Sequence, residues 1–259
     1  MESTDQEEFN PYDFEDKKAL ITGASRGIGE QIALTLADYG ADVVVNYNTS
    51  HDRASKTATT VELDGENSWV YPADVSDYGE VKQMKEHLEK NFGEIDILVN
   101  NAGITKDGAF KKMARENWDQ VIRTNLDSVF NVTKQFADNM AERGWGRIIN
   151  VASVNGRKGQ FGQTNYAASK AGMHGFTMSL ARELARKGVT VNTVAPGYLA
   201  TEMVMQVKEE VRQQIIETIP VQRLGEPSEV ASLIAYLASD DAGFVTGANI
   251  DINGGLHME

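Results

Sequence analysis

Apolar residues in this chain follow two alternating rhythms. Unbroken apolar runs are separated by stretches in which apolar residues recur every three to four positions, the spacing of one helix face. Lys18-Ala-Leu-Ile-Thr22 is the first run, and Ile28, Ile32 and Leu36 then mark a helix that stops at Gly40. The pattern predicts strands at 18–22, 42–46, 68–72, 95–100, 147–152, 189–194 and 249–253. It predicts helices at 28–39, 52–63, 78–92, 116–143, 166–187, 204–218 and 227–239. Strands without polar alternation are buried on both faces, which means a parallel sheet. Strands alternating with helices mean right-handed βαβ units. The fold class is therefore α/β: a single doubly wound, Rossmann-type domain over 17–259 with a mostly parallel, seven-stranded sheet.

Composition narrows the function classes. The 259 residues carry 38 acids and 25 bases, a net charge of −13, which argues against nucleic acid or an anionic membrane as partner. Seven of the acids fall in residues 1–16, which hold no base. That segment reads as an acidic N-terminal arm, mobile or loosely docked, that leaves the domain itself mildly acidic. There is no cysteine, so thiol nucleophiles and cysteine-ligated metals are excluded. His51, His87, His174 and His257 are too dispersed to suggest a metal site. Met1 to Glu8 lacks both the basic and the apolar region of a secretory signal. No apolar run reaches the ~18 residues of a membrane span. A soluble cytoplasmic protein is expected.

The first strand–helix junction reads Thr22-Gly-Ala-Ser-Arg-Gly-Ile-Gly29. Glycines at 23, 27 and 29 let the backbone approach a pyrophosphate, and the following helix presents N–H groups and a positive dipole end. Ser25, Arg26 and Ile28 complete that loop. The second strand ends at Asn46 with no carboxylate for a ribose 2′-hydroxyl, while Arg26 offers a guanidinium to a 2′-phosphate. NADP(H) is expected over NAD(H), and Asn46→Asp is expected to shift that preference. Asp74 and Val75 follow the third strand, where a carboxylate suits an adenine amino group. Asn101, Ala102 and Gly103 follow the fourth, beside the expected switch point of the sheet.

Ser153 lies just past the fifth strand, and Tyr166 and Lys170 share a helix face at i, i+4. A phenol with a pKa near ~10 is a poor acid–base group near neutrality, but a nearby ammonium stabilises the phenolate. Tyr166 then serves as general acid toward a carbonyl under reduction, and Ser153 hydrogen-bonds the oxygen as charge develops.

With these motifs in place, residues 17–259 resemble the short-chain dehydrogenase/reductase family. The resemblance implies Ser153, Tyr166 and Lys170 as catalytic residues, with Asn125 holding a water in the proton relay. Tyr166 and Lys170 would also touch the cofactor. Pro196, Gly197 and Thr201 match the segment beside the nicotinamide carboxamide, and Leu199 joins those cofactor contacts. Longer runs resemble the acetoacetyl-CoA reductases of polyhydroxyalkanoate (PHB) synthesis. They include Ser153-Val-Asn-Gly156, Gly159-Gln-Phe-Gly-Gln-Thr-Asn-Tyr166 and Asn253-Gly-Gly-Leu-His-Met258. That likeness implies Asp107, Ser153, Gln160, Phe161, Gln163, Gly197 and Tyr198 as contacts to a 3-oxoacyl thioester, acetoacetyl-CoA first. It also implies an (R) alcohol as product and a homotetramer. The Gly loop and Asn46 look more like the 3-oxoacyl-acyl-carrier-protein reductases of fatty-acid synthesis, which leaves the carrier open. Lys106, Lys111, Lys112, Arg157 and Lys158 would supply a basic rim for either carrier. An idle NADP(H)-binding regulator on the same fold is the alternative from another class.

Overall fold

A computed structural model describes residues 11–63 and 67–259. Its seven strands are β1 (Lys18–Ile21), β2 (Asp42–Tyr47), β3 (Ser68–Pro72), β4 (Ile97–Asn100), β5 (Gly146–Val151), β6 (Val189–Pro196) and β7 (Asn249–Ile252). They form one sheet in the order β3-β2-β1-β4-β5-β6-β7, with every pair parallel. Side chains on a strand alternate between faces, and here both faces are dry. Ala19, Ile21, Val43, Val45, Ile97 and Val99 join one apolar cluster, and Leu20, Val44 and Leu98 join the other. The first cluster is covered by α1 (Gly27–Asp38), α2 (His51–Leu63) and α10 (Pro227–Ala238). The second is covered by α3 (Tyr78–Asn91), α5 (Ser128–Arg143) and α7 (Thr164–Leu184).

The long helix expected at 116–143 is two helices. α4 (Arg115–Ile122) and α5 are joined by one widened π-helical turn, Arg123–Asp127. The apolar spacing runs through that turn, so periodicity does not reveal it. The helix expected at 204–218 is likewise divided into α8 (Glu202–Met205) and α9 (Glu209–Thr218), because Lys208 is extended at φ −53°, ψ 141°. A short helix, α6 (Asn155–Lys158), lies where no helix is expected.

Residues 1–10 of the expected acidic arm lie outside the described residues. The remainder is docked rather than loose. Phe14 is 1% exposed and its N–H bonds Tyr39 O at 2.7 Å, while the Tyr12 ring packs edge-on against Tyr39.

Candidate active site

The chain order of the strands reverses between β1 and β4, and the loops at their carboxyl ends form the floor of the site. Thr22 Oγ1 accepts the N–H groups of Asn101 and Ala102, both at 3.0 Å. Asn101 Nδ2 donates back to Thr22 O at 2.9 Å and Gly23 O at 3.1 Å. These bonds tie the two loops together. Gly29 sits so close beneath them that a Cβ there would lie 2.5 Å from both Asn101 Nδ2 and Gly23 O. Arg26, the N-cap of α1, provides no side-chain cap, so the first-turn N–H groups of that helix remain open to an anion. The loop and helix end fit a dinucleotide pyrophosphate.

Asn46 does not have the place expected of it. It is 1% exposed, donates through Nδ2 to Tyr71 O and Ala73 O, both at 3.3 Å, and accepts Gly23 N–H at 3.4 Å. Its buried amide holds the Gly loop from inside. An aspartate there would turn a carboxylate toward two carbonyl oxygens. Asn46→Asp is therefore expected to lower stability by about 3 kcal/mol or more, with no gain in NADH use; thermal melting and kcat/KM for both cofactors check this.

The basic group beside the Gly loop is larger than the sequence indicates. Arg26, Arg53 and Lys56 line one cleft with Ser25, Gly27, Thr201 and Glu202, and Arg53 bridges to Glu202 at 2.6 Å. Arg53 and Lys56 belong to α2, some 25 residues beyond the loop, so only the fold brings them alongside Arg26. Asp74 folds its Oδ1 onto Ser76 N at 2.9 Å, and Asn131 Nδ2 clamps that loop through Val75 O at 3.1 Å. The Val75 side chain and the Leu199 side chain are both buried.

Ser153, Tyr166 and Lys170 meet at the carboxyl end of β5. Lys170 is buried, donates from Nζ to Val151 O at 2.7 Å, and has Nζ 5.7 Å from the centre of the Tyr166 ring. Burial lowers its pKa to about 7. Burial pushes the Tyr166 hydroxyl above its ordinary value, and a hydrogen bond with Ser153 opposes that rise. Ser153 Oγ also accepts Asn155 N–H at 3.2 Å.

Asn125 lies in the π turn and is fully buried. It grips Ile104 twice, accepting its N–H at 2.8 Å and donating to its carbonyl at 3.0 Å, and it also donates to Ser169 Oγ at 3.2 Å. A Cβ on Gly103 would lie 3.3 Å from Asn125 Oδ1 and 3.5 Å from Lys170 Nζ, so the missing side chain leaves that corner open. A widened turn beside reacting groups is where such turns concentrate.

The expected thioester contacts lie on three segments: the loop after β4, the stretch from Ser153 to Gln163, and the residues after β6. Gln163 is held at both ends, donating to Asp107 Oδ2 at 2.9 Å and accepting Asn155 Nδ2 at 2.9 Å. Gln160 and Phe161 are exposed, and Tyr198 is half-buried with a hydroxyl raised by burial and by Asp107. Gly197 N donates to Ile252 O at 2.9 Å, which anchors the segment after Pro196. Lys106, Lys111, Lys112 and Lys158 are exposed, but Arg157 is ion-paired with Glu259 and does not belong to a free rim.

A parallel doubly wound sheet, a Gly loop over an open helix end, and a Ser–Tyr–Lys group at the next strand ends define a dinucleotide-dependent oxidoreductase site. The family model described as enoyl-(acyl carrier protein) reductase matches residues 23–257. The chain belongs to the short-chain dehydrogenase/reductase family. It is 52% identical to an acetoacetyl-CoA reductase of Cupriavidus necator over 240 residues, covering 93% of this chain and 98% of that protein. It is 52% identical to nodulation protein G of Azospirillum brasilense over 94% of this chain and 99% of that one. A 3-oxoacyl-(acyl-carrier-protein) reductase of Staphylococcus epidermidis is 45% identical over 93% and 99%. Among the described residues, no helix is long and apolar enough to cross a membrane.

Proposed function

We propose that the chain is an NADPH-dependent reductase of 3-oxoacyl-CoA thioesters, acetoacetyl-CoA first, giving an (R)-3-hydroxyacyl-CoA for polyhydroxyalkanoate synthesis. The observation that carries this reading is the meeting of Ser153, Tyr166 and Lys170 beside the Gly loop, in a chain about half identical to acetoacetyl-CoA reductases. NADPH, when bound, supplies the hydride that reduces the C3 carbonyl. Tyr166 gives the carbonyl oxygen its proton, and Ser153 holds that oxygen while negative charge grows on it. The Lys170 ammonium favours the tyrosinate left behind. Asn125 orders the loop at Ile104 and carries the relay water that returns the proton. Gln163, Asp107 and Tyr198 hold the thioester, with exposed lysines around the mouth for the phosphates of CoA. A homotetramer fits the exposed Phe130 of α5, the exposed Met178 of α7 and the open edge of β7.

Loss of absorbance at the NADPH band with acetoacetyl-CoA, acetoacetyl-carrier protein and crotonyl-CoA tests the reaction. The expected order is acetoacetyl-CoA ahead of the carrier protein, with no turnover of crotonyl-CoA. A preference for the carrier protein of about a hundredfold, roughly 3 kcal/mol, overturns the choice of carrier. Turnover of crotonyl-CoA alone makes the chain an enoyl reductase.

The cofactor preference rests on the cleft lined by Arg26, Arg53 and Lys56. The double variant Arg26→Ala, Arg53→Ala is expected to lower the NADPH-to-NADH ratio of kcat/KM by about 10²-fold or more, since each charge-assisted bond contributes about 1.5–3 kcal/mol. An unchanged ratio rules out 2′-phosphate recognition there.

A further inference from the structure

Asn165 precedes Tyr166 and has no part in the reading above. It is 0% exposed, yet it is polar and wholly engaged. Its Nδ2 donates to Lys106 O at 3.0 Å and to Asn117 O at 3.3 Å, and its Oδ1 accepts the Tyr166 N–H at 2.8 Å. Three chain segments therefore converge on one amide: the loop after β4, the helix α4, and the first turn of α7. A buried amide is costly unless every bond is made, so full engagement selects a single arrangement of those segments.

Two neighbouring bonds point the same way. Gly108 N donates to Gly162 O at 2.8 Å, and Gln163 Nε2 reaches Asp107 Oδ2 at 2.9 Å. The loop that carries Asp107 is thus fastened to the segment that carries Gln163 and Tyr166. At its other end the same loop is gripped by Asn125 through Ile104. Between these grips, Asn165 bonds both the loop backbone and the backbone of the proton donor. The helix α7 gains no side-chain cap from its N-cap Gln163, so the i, i+1 bond to the Tyr166 amide is a distinctive fixing point of that turn.

We propose that Asn165 is a positioning residue that locks the thioester-binding loop, residues 104–109, to Tyr166, so that substrate carbonyl and proton donor keep one register. The inference rests on the 3-oxoacyl thioester reductase reading. It assigns Asn165 no contact with substrate or cofactor. Its removal lets the loop shift while the Gly loop and the Arg26 cleft, on the other side of β4, stay as they are.

Asn165→Ala removes all three bonds. Asn165→Asp keeps the shape and the oxygen that takes the Tyr166 amide, but loses both donors when ionised. Both are expected to raise the KM for acetoacetyl-CoA about tenfold or more and to lower kcat, with the Kd for NADPH within about twofold of wild type. Hydrogen exchange is expected to quicken at Ile104 and Gly108 and not in β1–α1. For Asn165→Asp, activity relative to wild type is expected to recover as pH falls, because the protonated acid again donates to a carbonyl. Unchanged KM and kcat in the variants overturn the proposal. An equal loss of NADPH and thioester binding, or failure of both variants to fold, also overturns it and makes Asn165 a folding residue. A wild-type chain that turns over no 3-oxoacyl thioester overturns the reductase reading instead.

Discussion

Replacing Tyr166 by Phe is expected to lower kcat for acetoacetyl-CoA by roughly 10³-fold while NADPH binds within about twofold of wild type. The substitution removes one oxygen and little else. The backbone N–H of Tyr166 stays bonded to Asn165, its carbonyl still accepts Ser169 Oγ at 2.7 Å, and the ring keeps its packing. What is lost is the hydroxyl that shares a hydrogen bond with Ser153. Without it, the carbonyl oxygen takes negative charge with a serine hydroxyl but no proton donor. Steady-state absorbance gives kcat, and fluorescence titration gives the affinity for NADPH. Residual turnover above about a tenth of wild type would show that another group delivers the proton.

Lys170 gives the second large effect, and its sign follows from its burial. The side chain is nearly inaccessible and its pKa is lowered to about 7 from 10.5. Below pH 7 the free enzyme carries an ammonium beside Tyr166, and above it a neutral amine. Since the ammonium makes the phenol a better acid, kcat/KM for reduction is expected to fall as pH rises through about 7, by at most about tenfold per unit. Lys170→Arg keeps its charge at every working pH, so that limb should disappear or move to higher pH. Lys170→Met should be flat and about 10³-fold slower. Stability moves the other way. Between about 7 and 10.5 the unfolded lysine binds a proton that the folded one does not, so wild-type stability rises with pH across that window. Below it, the folded chain bears the full cost of a buried ammonium. Lys170→Met is expected to melt higher than wild type at pH 6, and a lower melting temperature there would show that Lys170 stabilises the fold.

The fold was legible because strands buried on both faces leave unbroken apolar runs, and the helices between them keep one apolar face. The meeting of Ser153, Tyr166 and Lys170 was legible because Tyr166 and Lys170 are spaced to share a helix face and Ser153 directly follows a strand end. Three parts of the site were not. Asn46 looks from its place at a strand end like a cofactor contact, but sequence does not say which way a strand residue faces, and it turns inward to the Gly loop. Arg53 joins Arg26 only because α2 packs beside the first loop. Asn165 is hidden because it is a polar residue on the buried face of α7, one position before the expected start of that helix, and its partners, Lys106 and Asn117, lie 59 and 48 residues earlier in the chain.

The widened turn at Arg123–Asp127 amounts to a phase shift along a nearly continuous rod. A regular helix turns about 100° per residue, so one surplus residue lets the two halves of the rod obey separate angular requirements. α5 keeps Val132, Phe136 and Met140 on the sheet, while Asn125 is rotated onto Ile104 and Ser169. Deleting one residue from this turn would restore ideal winding and swing everything on its N-terminal side by about a quarter turn. Along this rod, then, a flaw in the helix is what allows packing and chemistry to share one continuous stretch of chain.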